Sequence, residues 1–275
     1  MPNFIVGARL HDYGKGTPDE LFGQVSADGF AAVQLAYKKC VPTVKSYADV
    51  TDALVAETVA AEKAHHIQVA VLGTYVELAI NDESRLCNVA DFKSQLAGCK
   101  ALGAGCLGTE TTAMSKQPAG TTRAQAQELL CRSLAEILPA AEALGVTVGI
   151  EPVTYHSMNS AAATRHILDT MRSPNLKVIF DMCNLVSAEN VDAQDRIWYD
   201  MGTLLGDQIV AVHFKGQAFA PDGSLLHTSL EESRTDYAGA FAMLRQLPQP
   251  TLPVLREEAV PARAASDIAF MKGFF

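Results

Sequence analysis

The sequence predicts an α/β protein folded as one single-domain (β/α)8 TIM barrel over residues 1–275. Three observations indicate this fold. Short apolar, β-branched runs alternate with helical stretches rich in Ala, Leu and Glu, eight such runs occur along the chain, and no low-complexity segment or Pro/Gly/Ser-rich linker divides them. Alternation of strand and helix is typical of βαβ units and a parallel sheet. Eight such units are the number that closes a TIM barrel.

The elements follow one another at regular intervals. The eight predicted strands are Phe4–Ala8, Phe30–Leu35, Ile67–Leu72, Gly105–Thr109, Val146–Glu151, Leu176–Asp181, Gln208–His213 and Leu252–Glu257. The fourth has the weakest pattern because it contains two glycines. The clearest predicted helices are Thr51–His65, Thr121–Leu144, Ala161–Met171 and Asp236–Gln246. An open doubly wound sheet is the main alternative, but eight units are many for it and no G-x-G-x-x-G follows the first strand.

Composition excludes several classes of protein. Lys and Arg total 22 against 31 Asp and Glu, which gives a net charge of −9 and argues against a nucleic-acid partner. The chain opens MPNFIVGARLHD without a secretory signal, and no apolar run approaches the ~20 residues of a membrane helix. The six cysteines form no C-x-x-C pair and are interpreted as buried apolar residues. We therefore expect a cytoplasmic protein that does not bind membranes.

Ionisable residues end the last four predicted strands. Glu151, Asp181 and His213 each follow an apolar run, and Glu257 and Glu258 end the eighth. Strand ends of a barrel converge on one face, where catalytic sites lie. Three carboxylates and an imidazole suit Mn²⁺, Mg²⁺, Co²⁺ or Fe²⁺, with Zn²⁺ as a further candidate. The pattern predicts one shared divalent ion. Because side chains alternate along a strand, only one of Glu257 and Glu258 can point inward.

Several stretches resemble the sugar phosphate isomerase/epimerase family, whose members are xylose isomerase-like TIM barrels and include ketose 3-epimerases, hydroxypyruvate isomerase and inosose dehydratase. The resembling stretches are VLGTYVELAIND (71–82), LGAGCLGTETT (102–112), GVTVGIEPVTYHSMNS (145–160), SPNLKVIFDMCNL (173–185), VAVHFKG (210–216) and LPVLREEAVP (252–261). The resemblance implies a divalent metal, with Mn²⁺ as first choice, and proton transfer next to a carbonyl. It also implies a homodimer.

The resemblance assigns the metal ligands as Glu151, Asp181, His213 and one glutamate of the eighth strand. Relatives often have a proline a few residues after the last ligand, and Pro261 follows Glu258 at a similar offset. We therefore choose Glu258, which would place Leu252, Val254 and Arg256 on the inward face with it. Glu151 and Glu258 are then the natural general acid and base.

Three positions depart from the family pattern. Asn184 stands where many relatives have His, Gly216 replaces the Asp of an H-x-K-D element, and Gln34 ends the second strand where relatives often have Glu. These differences leave the ligand set intact. They do not determine the identity of the substrate, and they leave open whether the protein is catalytically active.

Further residues near the strand ends are candidates for substrate binding. We expect Glu110 and His156 to contact sugar hydroxyls, Lys215 to meet an anionic group, and Arg256 to bind a carboxylate or phosphate; Asn184 and His11 complete the set. The long segment 216–232 is predicted to be a loop that could cover the metal.

These features predict a metal-dependent isomerase or epimerase of a small, sugar-like ketose or hydroxy-carbonyl compound. The substrate is expected to be unphosphorylated, since no glycine-rich phosphate loop is evident. A dehydratase using the same site and a non-catalytic sugar-binding barrel are the alternatives. The abasic-site endonuclease branch of the fold is disfavoured by the negative charge.

Overall fold

Eight parallel strands close into a barrel in the computed structural model, which describes residues 1–80 and 83–275. The barrel strands are β1 (Asn3–Arg9), β2 (Ala32–Leu35), β3 (Gln68–Gly73), β4 (Cys106–Glu110), β5 (Val148–Glu151), β6 (Leu176–Asp181), β7 (Ile209–Phe214) and β10 (Thr251–Arg256). Each pairs with its neighbour along the chain, and β10 closes the barrel between β7 and β1. The predicted TIM barrel is confirmed, including its weakest strand, β4.

The helices that connect these strands surround the barrel. They are α1 (Pro18–Ala27), α2 (Tyr37–Cys40), α3 (Asp52–His65), α4 (Ser84–Ser94), α5 (Leu96–Leu102), α6 (Arg123–Leu144), α7 (Ala161–Met171), α8 (Gln194–Leu205), α9 (Tyr237–Leu244) and α10 (Ala264–Lys272). Thr122 begins α6 with a capping box to Gln125, and Gly145 ends it in the left-handed conformation. The last two residues of the resembling stretch 71–82 lie outside the described residues. None of the described helices is both long and apolar enough to cross a membrane.

The barrel lumen is filled by small and medium side chains of the strands. This inner cluster consists of Ala32, Ala70, Val71, Cys106, Ile179, Ala211 and Leu255. A Cβ atom on Gly149 would lie 2.9 Å from Cys106 Sγ and 3.0 Å from Ile179 Cδ1, so the lumen requires glycine at this position. The larger core cluster packs between the strands and the helices.

The inward face predicted for the last strand is wrong. Leu255 belongs to the inner cluster, whereas Leu252 and Val254 pack in the outer core. Arg256 also points outward, because its Nε lies 2.8 Å from Oδ2 of Asp267 on α10. Strand alternation therefore places Glu257, and not Glu258, on the side of the lumen.

A β-hairpin follows β7 where the sequence predicted a loop. Its strands are β8 (Gly216–Phe219) and β9 (Leu225–Thr228), which pair antiparallel. Gly216 is required there, since a Cβ atom would lie 2.3 Å from the carbonyl oxygen of Thr228. The base of the hairpin is fixed to the segment after β6, because Gln217 Nε2 donates to the carbonyl oxygen of Cys183 at 2.8 Å.

Candidate active site

Four buried ionisable side chains meet at the carboxyl end of neighbouring barrel strands. Glu151 ends β5, Asp181 ends β6, His213 lies near the end of β7, and Glu257 follows β10. Their residues are between 0 and 5 % exposed. The parallel register aligns Asp181 with His213. The structure therefore brings together three of the four predicted ligands, with Glu257 in the fourth place.

The ligand atoms of this cluster face one another. Glu151 Oε2 lies 3.1 Å from His213 Nδ1, and Glu257 Oε1 lies 3.5 Å from the same nitrogen. One ligand atom each from Glu151, Asp181 and His213 all lie within 4.8 Å of one another. This spacing is close enough for a single ion to contact all three residues.

The hydrogen bonding of the cluster fits a divalent ion. His213 Nε2 makes no hydrogen bond with any described residue, whereas Nδ1 faces the carboxylates of Glu151 and Glu257. Asp181 Oδ1 accepts from the backbone N–H groups of Cys183 at 2.7 Å and Asn184 at 2.9 Å, and Oδ2 lies beside the ammonium group of Lys215. A buried polar atom without a partner is costly. A cation bound by the imidazole and by carboxylate oxygens would satisfy it, and this donor set is typical of Mn²⁺ and related ions.

The electrostatics of the cluster reflect its burial. Burial raises the pKa of Glu151. Burial also opposes ionisation of Glu257, but His213, Lys215 and Arg9 outweigh it and lower the pKa of that carboxyl to about 2. Burial likewise opposes protonation of His213, yet Glu257 and Glu151 raise its pKa to about 9. In the metal-free protein the imidazole is therefore cationic at neutral pH, and a metal would have to displace its proton.

Lys215 lies inside the cluster and not at a substrate-binding rim. Its Nζ atom is 2.8 Å from Asp181 Oδ2, 2.8 Å from Asn184 Oδ1 and 3.4 Å from Glu257 Oε2. Asn184 in turn donates from Nδ2 to Glu151 Oε1 at 2.5 Å. The ammonium is already paired with carboxylates of the protein, which contradicts the expectation that it meets an anionic substrate group.

Glu258 points away from His213. Its backbone is left-handed, with φ of 55°, and its side chain is 39 % exposed. Arg9 holds it there, with 2.9 Å between a guanidinium nitrogen and Glu258 Oε1, and also pairs with Asp12 at 2.7 Å. The choice of Glu258 as the inward ligand is therefore wrong. The proline offset gave the wrong glutamate because the chain turns directly after Glu257.

Arg256 is also excluded from the substrate pocket. Besides its pair with Asp267, it donates to the carbonyl oxygen of Glu257, and its residue is only 3 % exposed. The guanidinium thus fixes the end of β10 from outside the barrel. Its predicted contact with a substrate carboxylate or phosphate is contradicted by this position.

The rim of the pocket adds residues from β2, β3 and β4. The lining residues are Gln34, Val71, Gly73, Thr74, Tyr75, Gly108, Thr109, Glu110, Glu151, Ile179, His213 and Glu257. Sequence reasoning missed Tyr75, whose hydroxyl accepts from Gln34 Nε2 at 3.1 Å. His11 contacts the Tyr75 ring edge-on, with 6.0 Å between ring centres. An aromatic residue three positions after the predicted strand Ile67–Leu72 was the only signal for Tyr75.

Glu110 and His156 lie next to each other at the mouth of the pocket. His156 Nε2 lies 3.9 Å from Glu110 Oε2. Burial, together with Glu151 and Glu257, raises the pKa of Glu110 to about 7. Burial lowers the pKa of His156 to about 4, so this imidazole is neutral at physiological pH. The two residues can therefore donate and accept hydrogen bonds at the mouth of the pocket.

Comparison with known proteins extends these observations. A family model described as xylose isomerase-like TIM barrel matches residues 22–273. None of the curated proteins matches the sequence. Similar solved structures include 3-keto-D-glucoside 4-epimerase YcjR from E. coli, with 16 % identity, a TM-score of 0.73 and coverage of 98 % of this chain and 100 % of that one.

Two further structures have the same fold. D-psicose 3-epimerase, solved in the presence of D-fructose, is 15 % identical with a TM-score of 0.72, and 98 % of this chain and 99 % of that one are covered. The IOLI protein with a bound zinc atom is 14 % identical with a TM-score of 0.75, and the covered shares are 98 % and 96 %.

Proposed function

The chain belongs to the xylose isomerase-like TIM barrel family, and from this premise we propose that it is a divalent-metal-dependent isomerase or epimerase of a small ketose or hydroxy-carbonyl compound. One observation carries the proposal. Three carboxylates and an imidazole are buried together at the carboxyl end of the barrel, and Nε2 of that imidazole makes no hydrogen bond with any described residue. The similar structures named as epimerases, and the one named with zinc, support it.

The residues that would hold the ion are Glu151, Asp181, His213 and Glu257. Mn²⁺ is the first choice for this donor set, with Mg²⁺, Co²⁺, Fe²⁺ and Zn²⁺ as alternatives. When bound, such an ion would draw electron density from the carbonyl oxygen of the substrate, which would make the hydrogen on the adjacent, hydroxyl-bearing carbon more acidic.

Glu151 and Glu257 are proposed as the proton-transferring pair. Glu257 takes the role expected of Glu258 because its carboxylate is buried beside His213. One carboxylate removes the proton from carbon and the other returns one, as general base and general acid. Asn184 fixes Glu151 through the bond to Oε1, and Lys215 approaches Oε2 of Glu257. Each carboxylate is therefore oriented by a neighbour on one side.

The remaining rim residues favour an uncharged, hydroxyl-rich substrate. Glu110 and the neutral imidazole of His156 can bond to sugar hydroxyls, as can Tyr75 and Gln34 of the neighbouring strands. Lys215 pairs with carboxylates of the protein, so it does not provide a free charge for phosphate. This supports an unphosphorylated sugar.

A screen of ketoses in deuterated water tests the proposal. Mn²⁺-loaded protein should convert at least one free ketose to an isomer that has lost no atoms and carries deuterium, in place of hydrogen, next to the carbonyl. Chromatography and mass spectrometry report both changes. A product lighter by one water would identify the dehydratase alternative. Binding of ketoses without turnover or exchange would identify a sugar-binding barrel.

A further inference from the structure

Lys215 stands among the residues proposed to bind the metal, although nothing in a four-ligand centre calls for an ammonium group. We propose that Lys215 is a built-in counter-cation, which holds the metal-free cluster together and weakens the binding of a divalent ion. The inference rests on the proposed function only in taking the cluster to be a metal centre.

The contacts of Lys215 match its donors. An ammonium group has three N–H donors, and Nζ has three oxygen neighbours within 3.4 Å: one each from Asp181, Asn184 and Glu257. The residue is 7 % exposed. Its carbonyl oxygen is held as well, since it accepts from the hydroxyl of Tyr237 at 2.7 Å. The side chain is thus fixed in the cluster and does not extend into solvent.

The charge of the cluster explains why a cation is needed there. Glu151, Asp181 and Glu257 carry three negative charges when ionised, and all three are buried. In the metal-loaded site, where His213 has lost its proton, Lys215 reduces this charge to two negative charges, which a single divalent ion cancels. Without Lys215 one negative charge would remain uncompensated in the metal-loaded site. More than one would remain uncompensated in the metal-free site. Buried charges without partners are strongly destabilising.

The ammonium and a metal would share one oxygen atom. Asp181 Oδ1 is occupied by two backbone N–H groups, so Oδ2 is the oxygen best placed to bind an ion. Lys215 Nζ already lies 2.8 Å from that oxygen. An arriving ion must therefore displace the ammonium or tolerate a like charge beside it. Either event reduces the affinity for the metal.

Lys215 also reaches the third carboxylate through Asn184. Because Oδ1 of Asn184 accepts from Nζ, the amide is oriented with Nδ2 toward Glu151. One lysine thereby connects to the side chains of all three carboxylates. Because of this connection, we expect the loss of Lys215 to destabilise the whole metal-free site and not one ligand alone.

Substitution of Lys215 tests the inference. Lys215→Gln removes the charge, Lys215→Arg keeps it, and Lys177→Gln is the matched control, since Lys177 is a half-buried lysine of β6 bonded to Gln208. Two quantities are measured for each: the melting temperature in EDTA, and the Mn²⁺ dissociation constant by calorimetry at fixed pH. We expect Lys215→Gln to melt lowest in EDTA and to bind Mn²⁺ at least about tenfold more tightly than the wild type. Lys215→Arg should melt closer to the wild type than Lys215→Gln and show no such gain in affinity.

The outcomes separate this inference from the proposed function. If Lys215→Gln folds only with Mn²⁺ present, the counter-cation role is supported. Equal or weaker Mn²⁺ binding by Lys215→Gln, or an unchanged melting temperature in EDTA, would overturn it. A wild type that binds Mn²⁺ without isomerising any sugar would count against the proposed function alone, because the affinities still decide the role of Lys215.

Discussion

The carboxylate of Glu257 lies against the imidazole of His213, with 3.5 Å between Oε1 and Nδ1. The side chain of its neighbour Glu258 is 39 % exposed and pairs with Arg9 at 2.9 Å. Two adjacent glutamates therefore have different environments, one buried in the cluster and one at its edge. This difference makes them a matched pair for testing the site.

We predict that Glu257→Gln lowers Mn²⁺ affinity and reduces turnover by roughly 10²–10⁴-fold, the range typical of a lost acid–base group. A neutral amide binds the ion more weakly and accepts no proton. Glu258→Gln should retain both properties within about threefold and lose at most ~1 kcal/mol of stability, since it gives up one partly exposed ion pair. Metal analysis, calorimetry and steady-state kinetics measure these effects. Loss of metal in Glu258→Gln, with retention in Glu257→Gln, would show that the ligand assignment is reversed.

Glu151 should be needed for proton transfer even when the site is loaded with metal. We predict that Glu151→Gln, brought to full Mn²⁺ occupancy, exchanges the substrate α-hydrogen with deuterated water at least about 10²-fold more slowly than the wild type. Nuclear magnetic resonance of recovered substrate and product measures the exchange. Glu142→Gln, at the end of α6, serves as a control outside the cluster. Undiminished exchange in loaded Glu151→Gln would mean that another group removes the proton.

The barrel could be predicted because its signals are local. Each strand is an apolar run, and capping residues such as Thr51 and Thr122 begin the helices within the predicted limits. The hairpin of β8 and β9 was missed because its strands are short and partly exposed, so they show no apolar run. Its pairing depends on a close backbone approach at Gly216, which no periodicity reveals.

The site could be predicted only in part for a similar reason. Strand-end position correctly grouped Glu151, Asp181 and His213, because parallel strands bring their ends together. The choice between Glu257 and Glu258 depends on which face of β10 enters the lumen, and the sequence pattern suits both faces. The positions of Lys215 and Arg256 depend on partners on other elements, Asp181 of β6 and Asp267 of α10, which a linear pattern does not identify.

The buried pair between Arg256 and Asp267 should contribute strongly to stability. The two side chains are 3 % and 1 % exposed. We predict that Arg256→Met lowers the free energy of unfolding by about 3–5 kcal/mol, because it leaves Asp267 as a buried charge. Arg196→Met is the surface control, and it should cost under ~1 kcal/mol because Arg196 is largely exposed and its partner Asp200 is partly exposed. Chemical denaturation measures both changes. A loss below ~1 kcal/mol for Arg256→Met would mean that Asp267 is protonated or re-paired.

His156 should make the protein less stable in mild acid. Burial lowers its pKa from 6.5 to about 4 in the folded protein. As the pH falls, His156 therefore takes up a proton in the unfolded chain before it does so in the folded protein. The free energy of unfolding is highest above pH 6.5 in this respect, and it decreases as the pH falls toward 4. We predict that this residue alone removes up to about 3 kcal/mol of unfolding free energy across that window.

The measurement compares the pH dependence of unfolding, in EDTA, for the wild type, His156→Gln and His166→Gln. His166 lies on the exposed face of α7 and is the matched control. His156→Gln should show a shallower fall in stability between pH 6.5 and 4, whatever its stability at neutral pH, since Gln does not titrate there. His166→Gln should follow the wild type. Parallel curves for the wild type and His156→Gln would mean that His156 gains its proton as readily in the folded protein as in the unfolded chain, and that the rim of the pocket is open to solvent at this position.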